Sequence, residues 1–132
     1  METTCFGGPP EEADALLALV LDGRKTATCW AARHGGLSHV GKRMVLVDSR
    51  ERPRAVVETV SLERRRFCDI DAAWAREEGE GDLSLDHWRR VHRAFFEREG
   101  AFAEDMELWC ERFRVVESLP APDTAADSGA LD

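Results

Sequence analysis

Lysine is nearly absent from this chain. It occurs twice, at Lys25 and Lys42, among 18 basic side chains, the rest being arginine. Where positive charge alone is needed arginine has taken its place, so the two survivors invite attention: a desolvated lysine can lose its proton, and arginine cannot. Long hydrophobic runs are missing too. The longest, Ala13 to Leu21, is interrupted by Asp14 and falls far short of the ~20 residues of a membrane-spanning helix. The four cysteines, at 5, 29, 68 and 110, include no Cys-x-x-Cys pair, which excludes the usual zinc or dithiol signatures. No metal and no cofactor is expected. Met1-Glu2-Thr3-Thr4-Cys5 lacks the basic region and apolar core of a signal peptide. These absences point to a soluble, cytoplasmic protein with reduced thiols.

What is present suits one domain. The chain has 132 residues, 43% hydrophobic and 33% charged, enough for a single core without a disulfide or metal staple. Net charge is −8, which argues against indiscriminate phosphate binding. The charge is unevenly distributed: residues 1–21 carry four acids and no base, residues 22–66 eleven bases and five acids, and residues 67–132 seven bases and seventeen acids. The basic middle third offers either a local anion-attracting surface or a solvated face paired with the acidic remainder.

Pro9-Pro10-Glu11-Glu12 opens a helix over 10–22, with Ala13, Leu16, Leu17, Val20 and Leu21 on one face and Gly23 beyond its end. Lys25 to Trp30 reads as a strand. Met44 to Asp48 and Arg54 to Leu62 read as a hairpin around Ser49–Pro53. Asp69 or Asp71 caps a short helix over 71–78, which Glu78-Gly79-Glu80-Gly81-Asp82 ends. Ser84 caps a helix over 85–98 with an apolar stripe of Leu85, Trp88, Val91, Phe95 and Phe96. Met106 to Val116 closes the fold as a strand alternating Trp109, Glu111, Phe113 and Val115 against Leu108, Cys110, Arg112 and Arg114. Residues 118–132, small, polar and acidic, are expected to be a disordered tail. Strands with helices at the start and middle imply an α+β domain with a small curled sheet or barrel.

Phe6-Gly7-Gly8-Pro9-Pro10-Glu11-Glu12-Ala13-Asp14 with LLALVLDGRKTAT, then EEGEGDLSLDHWRRVHRAFF and the closing MELWCERFRVV, resembles the ASCH domain family over about residues 5–117, within an expected domain of residues 1–117. The resemblance implies a PUA-like small β-barrel with flanking helices and a cleft for RNA or a nucleoside. One branch of the family deacylates N4-acetylcytidine; ribonuclease activity is attributed to another member. By position, Lys25, Thr28 and Glu78 match the family's motif residues. This implies a Thr28 nucleophile activated by Lys25, with Glu78 orienting or passing a proton. Trp30 stands where many members carry arginine, and Arg33 is the candidate substitute.

The chemistry imposes conditions. A threonine hydroxyl needs a base, and lysine is one only if burial outweighs nearby carboxylates. In a regular strand residues 25 and 28 face opposite ways, so convergence requires Lys25 to lie in the turn after Gly23, before the strand begins, or on a bulge. Otherwise Lys25 is a solvated cation at a helix end, Thr28 an ordinary strand residue, and Glu78, Glu80 and Asp82 an acidic loop. His34, His39, His87 and His92 show no metal spacing. Two functions stand side by side. One is recognition of RNA or a (modified) nucleoside or nucleotide in the cleft, extending to hydrolysis of an N4-acylcytidine-type amide. The other is a non-catalytic RNA-binding or ribonuclease-type module in which Arg24, Lys25, Arg33, Lys42 and Arg43 meet phosphate.

Overall fold

Period-two alternation in the middle of the chain builds the scaffold. In the computed structural model, which describes residues 1–120, five strands form one sheet in the order β1-β3-β4-β5-β2. They are β1 (Thr3–Thr4), β2 (Ala27–Ala31), β3 (Arg43–Val47), β4 (Pro53–Arg66) and β5 (Glu107–Ser118). Helices α1 (Pro10–Leu21), α2 (Ala72–Glu78) and α3 (Leu85–Arg98) flank the sheet. All pairings are antiparallel except β1 with β3. The expected α+β class with flanking helices is present. The edge strands β1 and β2 do not pair with each other, so the sheet is not closed into a barrel.

The sheet packs two apolar clusters. Leu17 and Val20 of α1 meet Leu46, Ala55, Val57 and Phe113. Trp74 of α2 and Trp88 and Phe96 of α3 meet Ala27, Ala31, Leu108 and Cys110. Along β4, Ala55, Val57 and Thr59 are buried while Val60 is exposed, as the alternation predicts. The helix boundaries follow their caps. Asp71 accepts the Trp74 N–H at 2.9 Å, and Ser84 accepts the His87 N–H at 3.1 Å. Gly23, at φ +81°, turns the chain out of α1.

Two features depart from the sequence reading. Strand β1 is too short to leave a periodic signal, and it forms because Thr3 and Thr4 register against Val45 and Leu46. Strand β4 continues through Arg64, Arg65 and Arg66, paired with Trp109, Leu108 and Glu107 of β5. The strand expected from the sequence ends at Leu62. In the fold, Arg64 lies over the Trp109 ring at 5.1 Å and Arg65 over Trp74 at 4.8 Å, so aliphatic stems and guanidinium planes cover aromatic faces that would otherwise meet water. At the other end of β5, Ser118 is still strand, and the Leu119 N–H donates to the Arg54 carbonyl at 2.9 Å. The expected tail lies, from residue 121 onward, outside the described residues. Among the described residues no helix is long and apolar enough to cross a membrane.

Candidate active site

The close approach of two chain segments creates the site. Lys25 sits after the α1 turn and before β2 begins at Ala27, with the Arg24 and Lys25 N–H groups both donating to the Leu19 carbonyl. The Thr26 N–H then donates to the Glu77 carbonyl at 2.9 Å, pinning this turn against the end of α2. Gly79 permits the contact. Its φ of +72° is left-handed, and a methyl group there would overlap the Arg24 carbonyl. Gly81 plays a similar part: at φ +61°, an added methyl would run into the His87 ring.

This arrangement buries Lys25, only 2% exposed. Its Nζ donates to Glu78 Oε1 at 3.2 Å, to Glu80 Oε2 at 2.6 Å and to the Glu78 carbonyl at 3.3 Å. Glu78 is buried as well, and its Oε2 accepts from two tryptophan indoles, Trp74 Nε1 at 2.7 Å and Trp88 Nε1 at 3.0 Å. His92, stacked on Trp88 with centroids 4.1 Å apart, completes the group. Its Nδ1 donates to the Trp88 carbonyl at 2.9 Å, and its Nε2 lies 3.4 Å from Glu78 Oε1. With Nδ1 so engaged, only a protonated Nε2 can donate to the carboxylate.

Charges follow from this packing. Burial opposes the Lys25 ammonium, but Glu78 and Glu80 outweigh it and raise its pKa above the ordinary 10.5. Burial likewise opposes the Glu78 carboxylate, and Lys25, His92 and the Trp88 indole outweigh it, holding the group far below the usual range. Burial would lower His92, and the hydrogen bond and charge of Glu78 instead lift it above 6.5. Lys25 is therefore an ammonium, and this arrangement does not supply the neutral amine that a base role would need.

The node opens onto a cleft of about 580 Å³ whose walls include Phe6, Trp30, Met44, Leu46, Phe95 and Phe113. Thr28 lines the same cleft, half-buried on β2, and among the described residues its hydroxyl has no hydrogen-bond partner. Lys25, Thr28 and Glu78 thus border one hollow. The four residues expected to contact a ligand do not. Arg24 is exposed and paired with Asp22 at 2.9 Å, and Arg43 with Glu58 at 2.8 Å. Lys42 pairs with Glu2 at 2.8 Å. Arg33 donates to the Glu99 carbonyl at 3.1 Å, outside the cleft wall, whereas Trp30 lines it with its indole N–H fixed on the Gly35 carbonyl at 2.9 Å.

Sequence reasoning missed Glu80, Cys29, His92 and Glu111. Cys29, Glu78 and His92 place one ligand atom each within 4.8 Å of one another, but Lys25 already neutralises Glu78, and an ammonium beside the group opposes a second cation. Burial and the neighbouring Glu78 carboxylate push the Cys29 thiol well up, away from thiolate chemistry. Glu111 carried a signal that could have found it: it falls on the Trp109–Phe113–Val115 face of its strand, a carboxylate among apolar residues. In the fold it is 7% exposed and lines the cleft.

Comparison with known proteins agrees with the fold. No curated protein matches this chain. The structure is similar to the ASCH domain from Lactobacillus crispatus JV V101, with 32% identity and a TM-score of 0.82, over 88% of this chain and 79% of that one. It is also similar to protein EF3133 from Enterococcus faecalis V583, with 29% identity and a TM-score of 0.79, over 89% of this chain and 77% of that one. The ASCH domain model matches residues 2–117. The chain belongs to the ASCH domain family.

Proposed function

We propose that the cleft takes a neutral, planar nucleoside and hydrolyses an acyl amide of the N4-acylcytidine type. The observation that carries this reading is the buried Lys25 ammonium, held by Glu78 and Glu80 at the wall of a cleft that Thr28 also lines. An ammonium fixed in a water-poor site acts through its charge on the negative charge that develops on a carbonyl oxygen under attack, its three N–H donors being held by Glu78 and Glu80. Thr28 is the attacking hydroxyl, Lys25 the electrostatic stabiliser, and Glu78 the group that orients Lys25 and keeps it charged. Aromatic and aliphatic walls suit a nucleobase.

The alternative, RNA held through its phosphates, draws less support. Arg24, Arg33, Lys42 and Arg43 stand outside the cleft and bond to groups of their own chain, and the net charge of −8 repels a polyanion. That alternative predicts RNA affinity falling steeply with salt.

Incubation of the purified protein with N4-acetylcytidine, followed by chromatography, is the test. Cytidine should appear with wild type and vanish with Lys25→Ala and with Thr28→Ala. Turnover surviving in both variants overturns the reading.

A further inference from the structure

A hydroxyl nucleophile needs a proton acceptor, and Lys25, already an ammonium, cannot be one. Strand register supplies another candidate. Thr28 of β2 and Glu111 of β5 are directly opposed. The Phe113 N–H donates to the Thr26 carbonyl at 3.1 Å, and two residues further along an antiparallel ladder the opposed residues again form a hydrogen-bonded pair. Thr28 and Glu111 therefore face the same side of the sheet with Cα atoms about 5.5 Å apart, within mutual reach of their side chains. Both line the cleft.

Glu111 is poised differently from Glu78. Its Oε2 accepts from the Thr59 hydroxyl at 2.5 Å, and Thr59 in turn lies 2.6 Å from the Ser38 hydroxyl. Among the described residues its Oε1 has no hydrogen-bond partner and is not sealed from solvent. We propose that Glu111 is the general base of this cleft, taking the proton of Thr28 through that uncommitted oxygen. The inference rests on the hydrolytic reading above and adds to it a residue absent from the Lys25–Thr28–Glu78 set.

The step balances. As the Thr28 oxygen bonds to the acyl carbon, its proton passes to the Glu111 carboxylate, and the carbonyl electrons move onto an oxygen facing Lys25. When the C–N bond breaks, the Glu111 carboxylic acid returns the proton to the departing amine, leaving an acyl ester on Thr28. Water then gives a proton to Glu111 and its oxygen to the acyl carbon, and the Thr28 oxygen leaves with the proton.

Several groups face Glu111. Lys42, ahead of β3, is the cation acting on it, Thr59 of β4 its hydroxyl donor and Thr28 of β2 its neutral neighbour. Glu12, Lys25, Glu78, Glu80, Arg98, Glu99, the imidazoles of His34, His87 and His92 and the thiols of Cys5 and Cys29 line the same cleft. Burial raises the Glu111 pKa above 4.5, against the smaller lowering by Thr59 and Lys42, so the base forms as pH rises through that raised value.

The experiment uses p-nitrophenyl acetate, an activated ester that needs no nucleoside recognition, with mass spectrometry to locate the acetyl group. In the full chain, Thr28 should be acetylated at a rate that climbs through a midpoint above pH 4.5. Glu111→Gln should lower the plateau by about 10²–10⁴-fold, with circular dichroism confirming the fold. Thr59→Val removes a donor to the carboxylate, so it should move the midpoint upward while keeping the base. Labelling of Thr28 by Glu111→Gln at the wild-type rate, absence of the acetyl group from Thr28, or an unmoved midpoint in Thr59→Val overturns the assignment. Failure of N4-acetylcytidine turnover alongside normal, Glu111-dependent labelling would instead count against the substrate and leave Glu111 in place.

Discussion

Two buried glutamates border the same cleft and are driven in opposite directions. Glu78 receives the Lys25 ammonium, two indole N–H groups and the His92 imidazole, and its pKa falls far below the ordinary range. Among the described residues, Glu111 receives one hydroxyl, from Thr59, with the charge of Lys42 acting on it from a distance, and its pKa rises. Burial pushes both the same way, so the number and charge of the donors decide the outcome. A carboxylate saturated with donors can only hold another group in place, whereas one with an uncommitted oxygen can exchange protons. Environments that drive two acids apart are the usual mark of divided labour in a site.

The contrast is broken most severely by removing the cation. Lys25→Met strands Glu78 as a buried carboxylate and should cost about 3–5 kcal/mol in urea unfolding. Adding Glu78→Gln should recover part of that loss, because the stranded charge is then gone. Next, Gly79→Ala should cost at least ~1 kcal/mol, because the left-handed backbone and the Arg24 carbonyl both exclude a methyl group. A smaller effect of opposite character is expected of Glu111→Gln. At pH 7 it removes a carboxylate that burial disfavours, so the melting temperature should hold or rise slightly while acylation collapses. The smallest effects belong to the surface: Arg24→Ala and Arg43→Ala, each a break in an exposed ion pair, should shift stability by less than ~0.5 kcal/mol and leave cytidine release unchanged.

The pH dependence of stability sharpens the same comparison. The Glu78 pKa is lower in the folded chain than unfolded, so its contribution is complete above about 4.5 and is lost as pH falls through the lowered value. The His92 pKa is raised, so its contribution is complete below 6.5 and fades as pH rises through the higher folded value. Glu111 behaves like His92 in sign: its raised pKa means that stability is lost as pH climbs through it above 4.5. Unfolding followed across pH should therefore show acid loss in wild type that Glu78→Gln flattens and Glu111→Gln does not.

Much of the fold was legible because its signals are local. Pro10 and Gly23 bracket α1, Asp71 and Ser84 cap α2 and α3, and alternation along β4 and β5 marks their buried faces. The pairing of Lys25 with Glu78 was reachable through family resemblance, and Gly79 gives it a physical reason, since a larger residue would hold the two segments apart. Glu80 and His92 were not legible. Their roles depend on α2, α3 and the Lys25 turn meeting in space, and no spacing within one segment encodes that. Glu111 was half-legible: its strand showed a charge on an apolar face, but its partner Thr28 follows only from the β2–β5 register. The open sheet is a matter of closure between β1 and β2, which local pattern does not specify.

The division of labour between the two acids can be read directly by carbon-detected NMR titration of the glutamate side-chain carboxyls in the full chain. Glu78 should remain ionised well below pH 4.5 while Glu111 titrates above it, the two curves lying on opposite sides of an ordinary glutamate. Coincident titrations near 4.5, or Glu111 titrating below Glu78, would contradict the account.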